Sequence, residues 1–167
     1  MNESTSVGGD EMKRAAYGAY CLLKDNLPKD FKFSEKEEDD FIISALKRHG
    51  AHLSTHTINQ DHVDPFKLLC WIGCAIIGEI EDITYKRHDE VLTALINSLE
   101  ETLMLETGFR LRLTQNDRNL FHRLAMEEIK GNGDQGIGFN GLFIAFHGLR
   151  SSYEILAREE GRPSASE

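Results

Sequence analysis

Residues 64–83 read DPFKLLCWIGCAIIGEIEDI, and the uncharged run 68–78 at their centre predicts a helix that is buried on all sides. Asp64 suits the position before a helix, and Pro65 suits its first position, where a missing N–H costs nothing. We therefore expect a helix at 65–83 in the centre of the molecule, with other helices packed around it.

Five further segments repeat apolar residues at intervals of three and four, which is the period of an amphipathic helix. They span about 10–26, 34–50, 89–107, 115–130 and 140–160. Ser34 and Glu37 fit a capping box, while Gly50 and Gly108 are placed to end helices. With no sustained strand pattern, we expect an all-α single-domain bundle or globule of about six helices.

The same pattern predicts the domain limits and the buried faces. We expect a flexible leader at 1–9, one helical domain at 10–160 and a flexible tail at 161–167. The fifth helix should bury Leu120, Phe121, Leu124 and Ile129, and the N-terminal half of the sixth should be buried all round. Small residues recur at every fourth position of the central helix and predict the close approach of a neighbour (Cys70, Cys74 and Gly78).

Composition narrows the function classes. The 167 residues carry a net charge of −9, which argues against nucleic acid as a partner because such proteins need a basic surface. The longest apolar run is too short to span a bilayer, so we expect no membrane insertion. Three cysteines in predicted helices indicate reduced thiols, and we therefore expect a cytoplasmic protein.

Histidines concentrate before the central helix. His52 and His56 are four residues apart, and His62 or Asp64 could complete a metal site of imidazole and carboxylate ligands. The sequence H-L-S-T-H lacks the glutamate of the zinc motif H-E-x-x-H, and Asp64 is already explained as a helix cap. We favour no cofactor and leave a divalent metal as the alternative.

Glu79 falls by helical angle on the apolar face of the central helix. A carboxylate held there would have a raised pKa, which suits a general acid. Glu81 and Asp82 follow directly, so the helix more simply reaches solvent at this point.

Arg118 and His122 lie four apart on the predicted fifth helix, opposite Leu120 and Leu124. Small helical ribonucleases of the HEPN class also carry an arginine and a histidine on one helix, but at a longer spacing than the R-x3-H found here. We therefore do not assign the chain to that class, and keep Arg118 and His122 as candidate catalytic residues.

The same helix contributes to a basic island within an otherwise acidic chain. Its members are Arg110, Arg112, Arg118, His122 and Arg123. We expect this island to point to solvent and to bind an acidic protein surface, or the acidic N-terminal half of a second copy, because opposite charges steer association.

The glycine loop 131–141 fits G-x-G-x-x-G twice, but a helix rather than a strand precedes it. A helix–helix turn explains it better than a ligand site. The sequence thus favours a non-catalytic binding protein, namely a regulator, inhibitor or accessory subunit. The alternative is a small helical hydrolase, metal-dependent or RNase-like, that uses the His52–His62 cluster with Glu79, or Arg118 with His122.

Overall fold

Six helices form the fold in a computed structural model that describes residues 3–56, 63–108, 112–132 and 140–161. They are α1 (Glu3–Asn26), α2 (Glu35–His56), α3 (Pro65–Glu79), α4 (Lys86–Thr107), α5 (Gln115–Asn132) and α6 (Asn140–Gly161). These ranges contain no strand, which confirms the all-α prediction. None of the described helices is long and apolar enough to cross a bilayer.

The helix α3 packs against four others, α1, α2, α4 and α6. Its side chains are buried almost without a break from Phe66 to Ile77, as a helix apolar on all sides requires. Asp64 caps it, since its Oδ1 accepts the backbone N–H groups of Phe66 at 3.1 Å and Lys67 at 3.3 Å. Burial of this helix provides the centre of the hydrophobic core.

The predicted end of the central helix at Ile83 is wrong. The helix stops at Glu79, and Ile83 is 95% exposed in the turn that follows. Asp82 holds this turn, because its carboxylate accepts the backbone N–H groups of Arg87 at 2.9 Å and Thr84 at 3.0 Å. These bonds, that from Arg87 foremost, lower the pKa of Asp82 to about 2.

A single glycine sets the approach of α3 to α4. A Cβ atom added at Gly73 would lie 2.4 Å from Cδ2 of Leu95. Cys70 and Cys74 are buried as expected, but Gly78 is exposed, so the stripe of small residues ends a turn earlier than predicted.

Four helices run past their predicted limits, and one of them, α4, begins at Lys86, ahead of its predicted start near 89. α1 begins at Glu3, within the segment predicted as a flexible leader, α2 passes Gly50 to reach His56, and α5 passes Gly131. A glycine costs only about 1 kcal/mol in a helix, and an established helix needs no new nucleation to extend. The tail is helical to Gly161, and its residues 162–167 lie outside the described part.

The buried face of α5 is turned relative to the prediction. Phe121, Ala125 and Ile129 are buried, whereas Leu120 and Leu124 are about 40% exposed. Likewise the N-terminal half of α6 is not buried all round, because Ile144 is 69% exposed. Packing of α5 against both α4 and α6 selects the side that carries the aromatic ring and the small alanine.

Candidate functional site

A polar groove runs between α4 and α5. Two adjoining cavities of about 260 and 430 Å³ form it, and both are lined by Gln115 and Arg118. The first is also lined by Asp89, Thr93, Ile96, Asn119 and His122, and the second by Asn26, Asn97, Glu101 and Arg112. We call this surface the α4–α5 groove.

A buried carboxylate lies beneath the groove. The side chain of Glu100 is fully buried, forms an ion pair with Arg118, and lies 3.4 Å from Nη1 of Arg112. Its Oε2 also accepts the backbone N–H of Leu113 at 2.9 Å, which fastens the segment before α5 to α4. Arg118 also donates a hydrogen bond to Asn97. Burial of its guanidinium group lowers the pKa of Arg118. Arg118 is therefore held in place by two groups of α4.

An aspartate–histidine pair lies in the first cavity. Nε2 of His122 is 2.7 Å from Oδ1 of Asp89, and both side chains are partly exposed. Such a carboxylate fixes the orientation of an imidazole. The hydroxyl of Thr93 donates to the backbone carbonyl of Asp89 at 3.0 Å. With Arg118 in the same cavity, the groove offers a proton acceptor near a cation.

The amide side chains give the groove its hydrogen-bonding capacity. Nε2 of Gln115 donates to Oδ1 of Asn119 at 2.9 Å. Nδ2 of Asn26 donates both of its hydrogens, to the hydroxyl of Ser98 at 2.9 Å and to the carbonyl of Leu22 at 3.1 Å. Each amide carries two donors and one acceptor oxygen with two lone pairs, so these pairs leave groups for a ligand.

The predicted basic island is only partly assembled. The structure brings Arg112, Arg118 and His122 together in the groove, but Arg118 and His122 face α4 and are only partly exposed. The expectation that they point outward is wrong because the buried face of α5 is turned, which places them beside α4. Arg123 is exposed and lines neither cavity, and Arg110 lies outside the described residues.

Sequence reasoning missed Glu100, although a signal was present. It follows Ile96 by four residues and precedes Leu103 by three, so it falls on the apolar stripe of α4. A carboxylate at such a position needs a cation within reach, which α5 supplies.

Glu79 does not join a site with Asp64, the one member of the predicted metal site whose side chain is described. It is exposed at the last residue of α3, and Asp64 precedes the first. A helix of this length separates them by on the order of 20 Å.

Asp64, the one predicted metal ligand whose side chain is described, serves other roles. Nε2 of His49 accepts the backbone N–H of Asp64 at 3.2 Å, and Oδ2 of Asp64 accepts from Arg150 at 2.9 Å. His52 and His56 lie one turn apart in the last part of α2, but their side chains, and all of His62, fall outside the described part. Among the side chains that are described, no group of three or more metal-binding residues occurs.

A second ionic cluster surrounds Arg150 of α6. Besides Asp64, it pairs with Glu106 at 3.1 Å and with Glu154 at 3.6 Å. Burial alone would raise the pKa of Asp64, but the hydrogen bond and charge of Arg150 lower it below its ordinary value. Burial raises the pKa of Glu106, against the opposing effect of Arg150. This cluster joins α3, α4 and α6.

The two cysteines of α3 carry no reactive site. Cys70 and Cys74 are buried free thiols, and burial raises the pKa of Cys74 to about 12 and that of Cys70 well above its ordinary value. Of the glycine loop predicted as a helix–helix turn at 131–141, Gly131 belongs to α5 and Gly141 to α6, and residues 133–139 lie outside the described part.

Comparison with known proteins finds no match to the chain among protein-family models, curated proteins or solved structures.

Proposed function

We propose that this protein is a non-catalytic binding protein that holds a segment of a partner protein in the α4–α5 groove, as a regulator, inhibitor or accessory subunit. The observation that carries this proposal is the groove lining of four amides and two guanidinium groups: Asn26, Asn97, Gln115, Asn119, Arg112 and Arg118.

The lining suits a peptide main chain. Every residue of a bound segment offers one N–H donor and one C=O acceptor. Amide side chains supply both kinds of partner, and guanidinium groups add donors. A groove lined in this way can hold an extended or looped segment by its backbone, while Ile96 gives the floor an apolar patch.

The charge of the groove supports a protein rather than a nucleic acid. Arg118 is compensated by Glu100, and His122 is paired with Asp89, in a chain of net charge −9. A nucleic-acid surface needs uncompensated cations. Because the cations here are paired, the bound segment is recognised by hydrogen bonds, and binding should depend only weakly on salt.

The cytoplasm is the proposed location. The three cysteines are free thiols, and Cys21 is exposed, which is the state that a reducing compartment maintains.

A matched pair of asparagines on α5 tests the groove. Partners recovered with the full chain from native cells are identified, and the affinity of each is then measured for purified Asn119→Lys and Asn116→Lys. Asn119 lines the groove, whereas Asn116, also exposed, does not. We expect Asn119→Lys to weaken binding at least about tenfold and Asn116→Lys to leave it within about twofold. Equal affinities for the two variants would show that the groove is not the binding surface.

A second candidate function, RNA hydrolysis, is favoured by one observation: Asp89, His122 and Arg118 share one cavity. In that reaction His122 would accept the proton of a ribose 2′-hydroxyl. The 2′-oxygen would form a bond to the adjacent phosphorus, with the phosphate held by Arg118. The bond from phosphorus to the 5′-oxygen would break, giving a 2′,3′-cyclic phosphate and a 5′-hydroxyl that takes its proton from water.

Single-stranded RNA oligonucleotides with a chelator present test this second candidate. Loss of a positioned general base should slow cleavage by at least about 100-fold in His122→Gln, while the exposed Arg123→Gln serves as the control. If RNA stays intact with the unaltered protein, the hydrolase candidate fails and the binding proposal stands.

A further inference from the structure

A buried histidine lies where α3 and α4 meet. His88, in the first turn of α4, is only 6% exposed, and its ring packs against that of Tyr85, with 5.0 Å between the ring centres. Its Nδ1 is buried and has no hydrogen-bond partner in the part of the chain that the structure describes. A protonated imidazole carries an N–H donor at both ring nitrogens, so protonation would leave a buried donor without an acceptor.

Asp82 is the charged group that acts on His88, and it is already engaged. Burial lowers the pKa of His88, while the charge of Asp82 and a hydrogen bond to the backbone carbonyl of Ile80 act in the opposite direction. The Asp82 carboxylate accepts hydrogen bonds from the backbone N–H groups of Thr84 and Arg87 and from the Thr84 hydroxyl. Because burial outweighs the charge of this carboxylate, the neutral ring is the form that fits the folded molecule.

Charged side chains of the neighbouring elements are directed elsewhere. Arg87 pairs with Asp30, from the segment between α1 and α2, at 2.9 Å. Glu79 is exposed at the end of α3. From α5, Nζ of Lys130 lies 5.7 Å from the centre of the Tyr85 ring. A positive charge on the imidazole would gain nothing from a lysine on that side, because like charges repel.

The turn between α3 and α4 is held in a strained conformation. We call residues 80–85 the α3–α4 turn. Tyr85 adopts φ 61° and ψ 14°, and within the described ranges it is the one residue other than glycine with a positive φ. Such residues persist only where surrounding contacts hold them, and they cluster at switch regions. Here those contacts are the ring of His88 and the hydrogen bonds that Asp82 accepts across the turn.

The same turn supports one end of the α4–α5 groove. The backbone N–H of Asp89 donates to the carbonyl of Tyr85 at 3.0 Å, and Oδ1 of Asp89 lies 2.7 Å from Nε2 of His122. Both Asp89 and His122 line the first cavity. Asp89 directly follows His88, so a displacement of the first turn of α4 would separate the aspartate from its histidine partner.

We propose that His88 is a pH-sensitive switch: the neutral ring keeps the α3–α4 turn closed, and protonation opens the turn and releases the first turn of α4. Opening moves Asp89 away from His122, so acidification weakens the hold of the α4–α5 groove on its partner. This last step rests on the proposed function, whereas the opening of the turn does not.

The direction follows from the protons that each form binds. In the open turn the imidazole is exposed to solvent and has the ordinary histidine pKa of about 6.5, whereas burial lowers that pKa in the closed turn. The open form therefore binds more protons, and its population rises as the pH falls through about 6.5 until the pKa of the closed form is passed. Between about pH 7.5 and 5.5 the rise is at most about tenfold, the value for a closed form that is never protonated.

Hydrogen exchange of the full chain, with no partner present, tests the switch. Amide exchange of peptides that cover 80–89 is measured by mass spectrometry at about pH 7.5 and 5.5 and corrected for the intrinsic pH dependence of exchange. We expect the opening constant of the turn to rise by at least about twofold, and up to about tenfold, on acidification. Since no partner is involved, failure of the groove proposal would leave this result unchanged.

Two glutamine variants identify the histidine that responds. His88→Gln has no titrating group at this position, so we expect equal opening constants at the two pH values. His147→Gln is the matched control, because burial also lowers the pKa of His147, whose ring lies beside Phe66 at the other end of α3. This control variant should keep the full pH response of the turn.

A titration of the unaltered protein covers the case in which His88→Gln does not fold. The NMR signal of the His88 ring should titrate below about pH 6.5, and the ring signals of Tyr85 should change with it. Opening constants that are the same at both pH values overturn the proposal. So does a full pH response in a folded His88→Gln variant, or a His88 ring that titrates without any change at Tyr85.

Discussion

Gly73 determines how closely α3 and α4 can approach. Alanine there would place a methyl group 2.4 Å from Leu95, whose side chain is itself fully buried and has little room to move. By contrast, Gly18 is exposed in the middle of α1 and has no atom within 4 Å of an added Cβ. A side chain at Gly73 would therefore clash with its neighbours, whereas one at Gly18 would have open space.

We expect Gly73→Ala to lower the free energy of unfolding by about 1–3 kcal/mol, as overpacking does. We expect Gly18→Ala to raise it by about 0.5–1 kcal/mol, because alanine loses less conformational entropy in a helix. Urea unfolding of both variants measures the difference. A stabilised Gly73→Ala variant would show that the core yields at this contact.

Glu100 is the most buried charge in the α4–α5 contact, and its removal leaves Arg118 without its carboxylate. We expect Glu100→Ala to cost about 3–5 kcal/mol of folding free energy, the typical effect of breaking a buried pair. Glu101→Ala, at the neighbouring and more exposed position, is the control and should change stability by only about 0.5 kcal/mol.

Replacing both Glu100 and Arg118 distinguishes the cost of an unpaired buried charge from the cost of lost packing. Glu100→Leu combined with Arg118→Met should be more stable than Glu100→Ala alone, since no buried charge is left unpaired. A double variant that is no more stable would show that packing, and not the unpaired charge, accounts for the loss.

At the scale of an element, the start of α2 shows how local sequence determines a helix end. The backbone N–H of Ser34 donates to Oε1 of Glu37 at 2.9 Å, and the N–H of Glu37 donates to the Ser34 hydroxyl at 3.1 Å. This confirms the predicted capping box, in which two donors without helical partners are satisfied.

We expect Ser34→Ala to lower the free energy of unfolding by about 1 kcal/mol, because one of these donors loses its partner. Glu37→Gln keeps an acceptor at the same place and should cost clearly less. Thermal unfolding at neutral pH compares the two. Equal losses would mean that the charge of Glu37, and not the reciprocal hydrogen bonds, stabilises the first turn.

At the scale of the whole molecule, Asp64 connects three helices. Its backbone N–H donates to His49 of α2, its Oδ1 caps α3, and its Oδ2 accepts from Arg150 of α6. The pKa of Asp64 is lowered in the fold, so its ionised form stabilises the protein above the unfolded pKa of about 3.9. That contribution is lost as the pH falls through the lower, folded pKa.

We expect Asp64→Asn to cost about 2 kcal/mol at neutral pH, since asparagine keeps the cap but not the charged hydrogen bond. The difference from the unaltered protein should shrink as the pH falls from about 4 toward 2, because Asp64 then becomes neutral. Urea unfolding across this range measures it, with the exposed Asp25→Asn as the control. A difference that stays constant with pH would show that the ion pair does not account for the loss.

The pKa of Glu106, in the same cluster, is shifted in the opposite direction from that of Asp64. Its pKa is raised by burial, so its contribution to stability is present below the unfolded pKa of about 4.3 and is lost as the pH rises through the folded pKa. Asp64 and Glu106 therefore contribute to the acid response of the molecule with opposite signs.

The sequence by itself determined the features that depend on neighbours along the chain. The spacing of the apolar residues identified six helices. The cap residues located the starts of α2, α3 and α5, because a capping hydrogen bond reaches only two or three residues along the chain. It also identified Arg118 and His122 as residues to follow, although it could not show what they contact.

Only the tertiary structure decided which face of each helix is buried. The turned face of α5 moved Leu120 and Leu124 to the surface and set Arg118 and His122 against α4. A helix with apolar residues on more than one side can bury either side at similar local energy, so its neighbours select the orientation. For the same reason, the ion pair between Glu100 and Arg118, 18 residues apart in the chain, and that between Asp64 and Arg150, 86 apart, became visible only in the folded molecule.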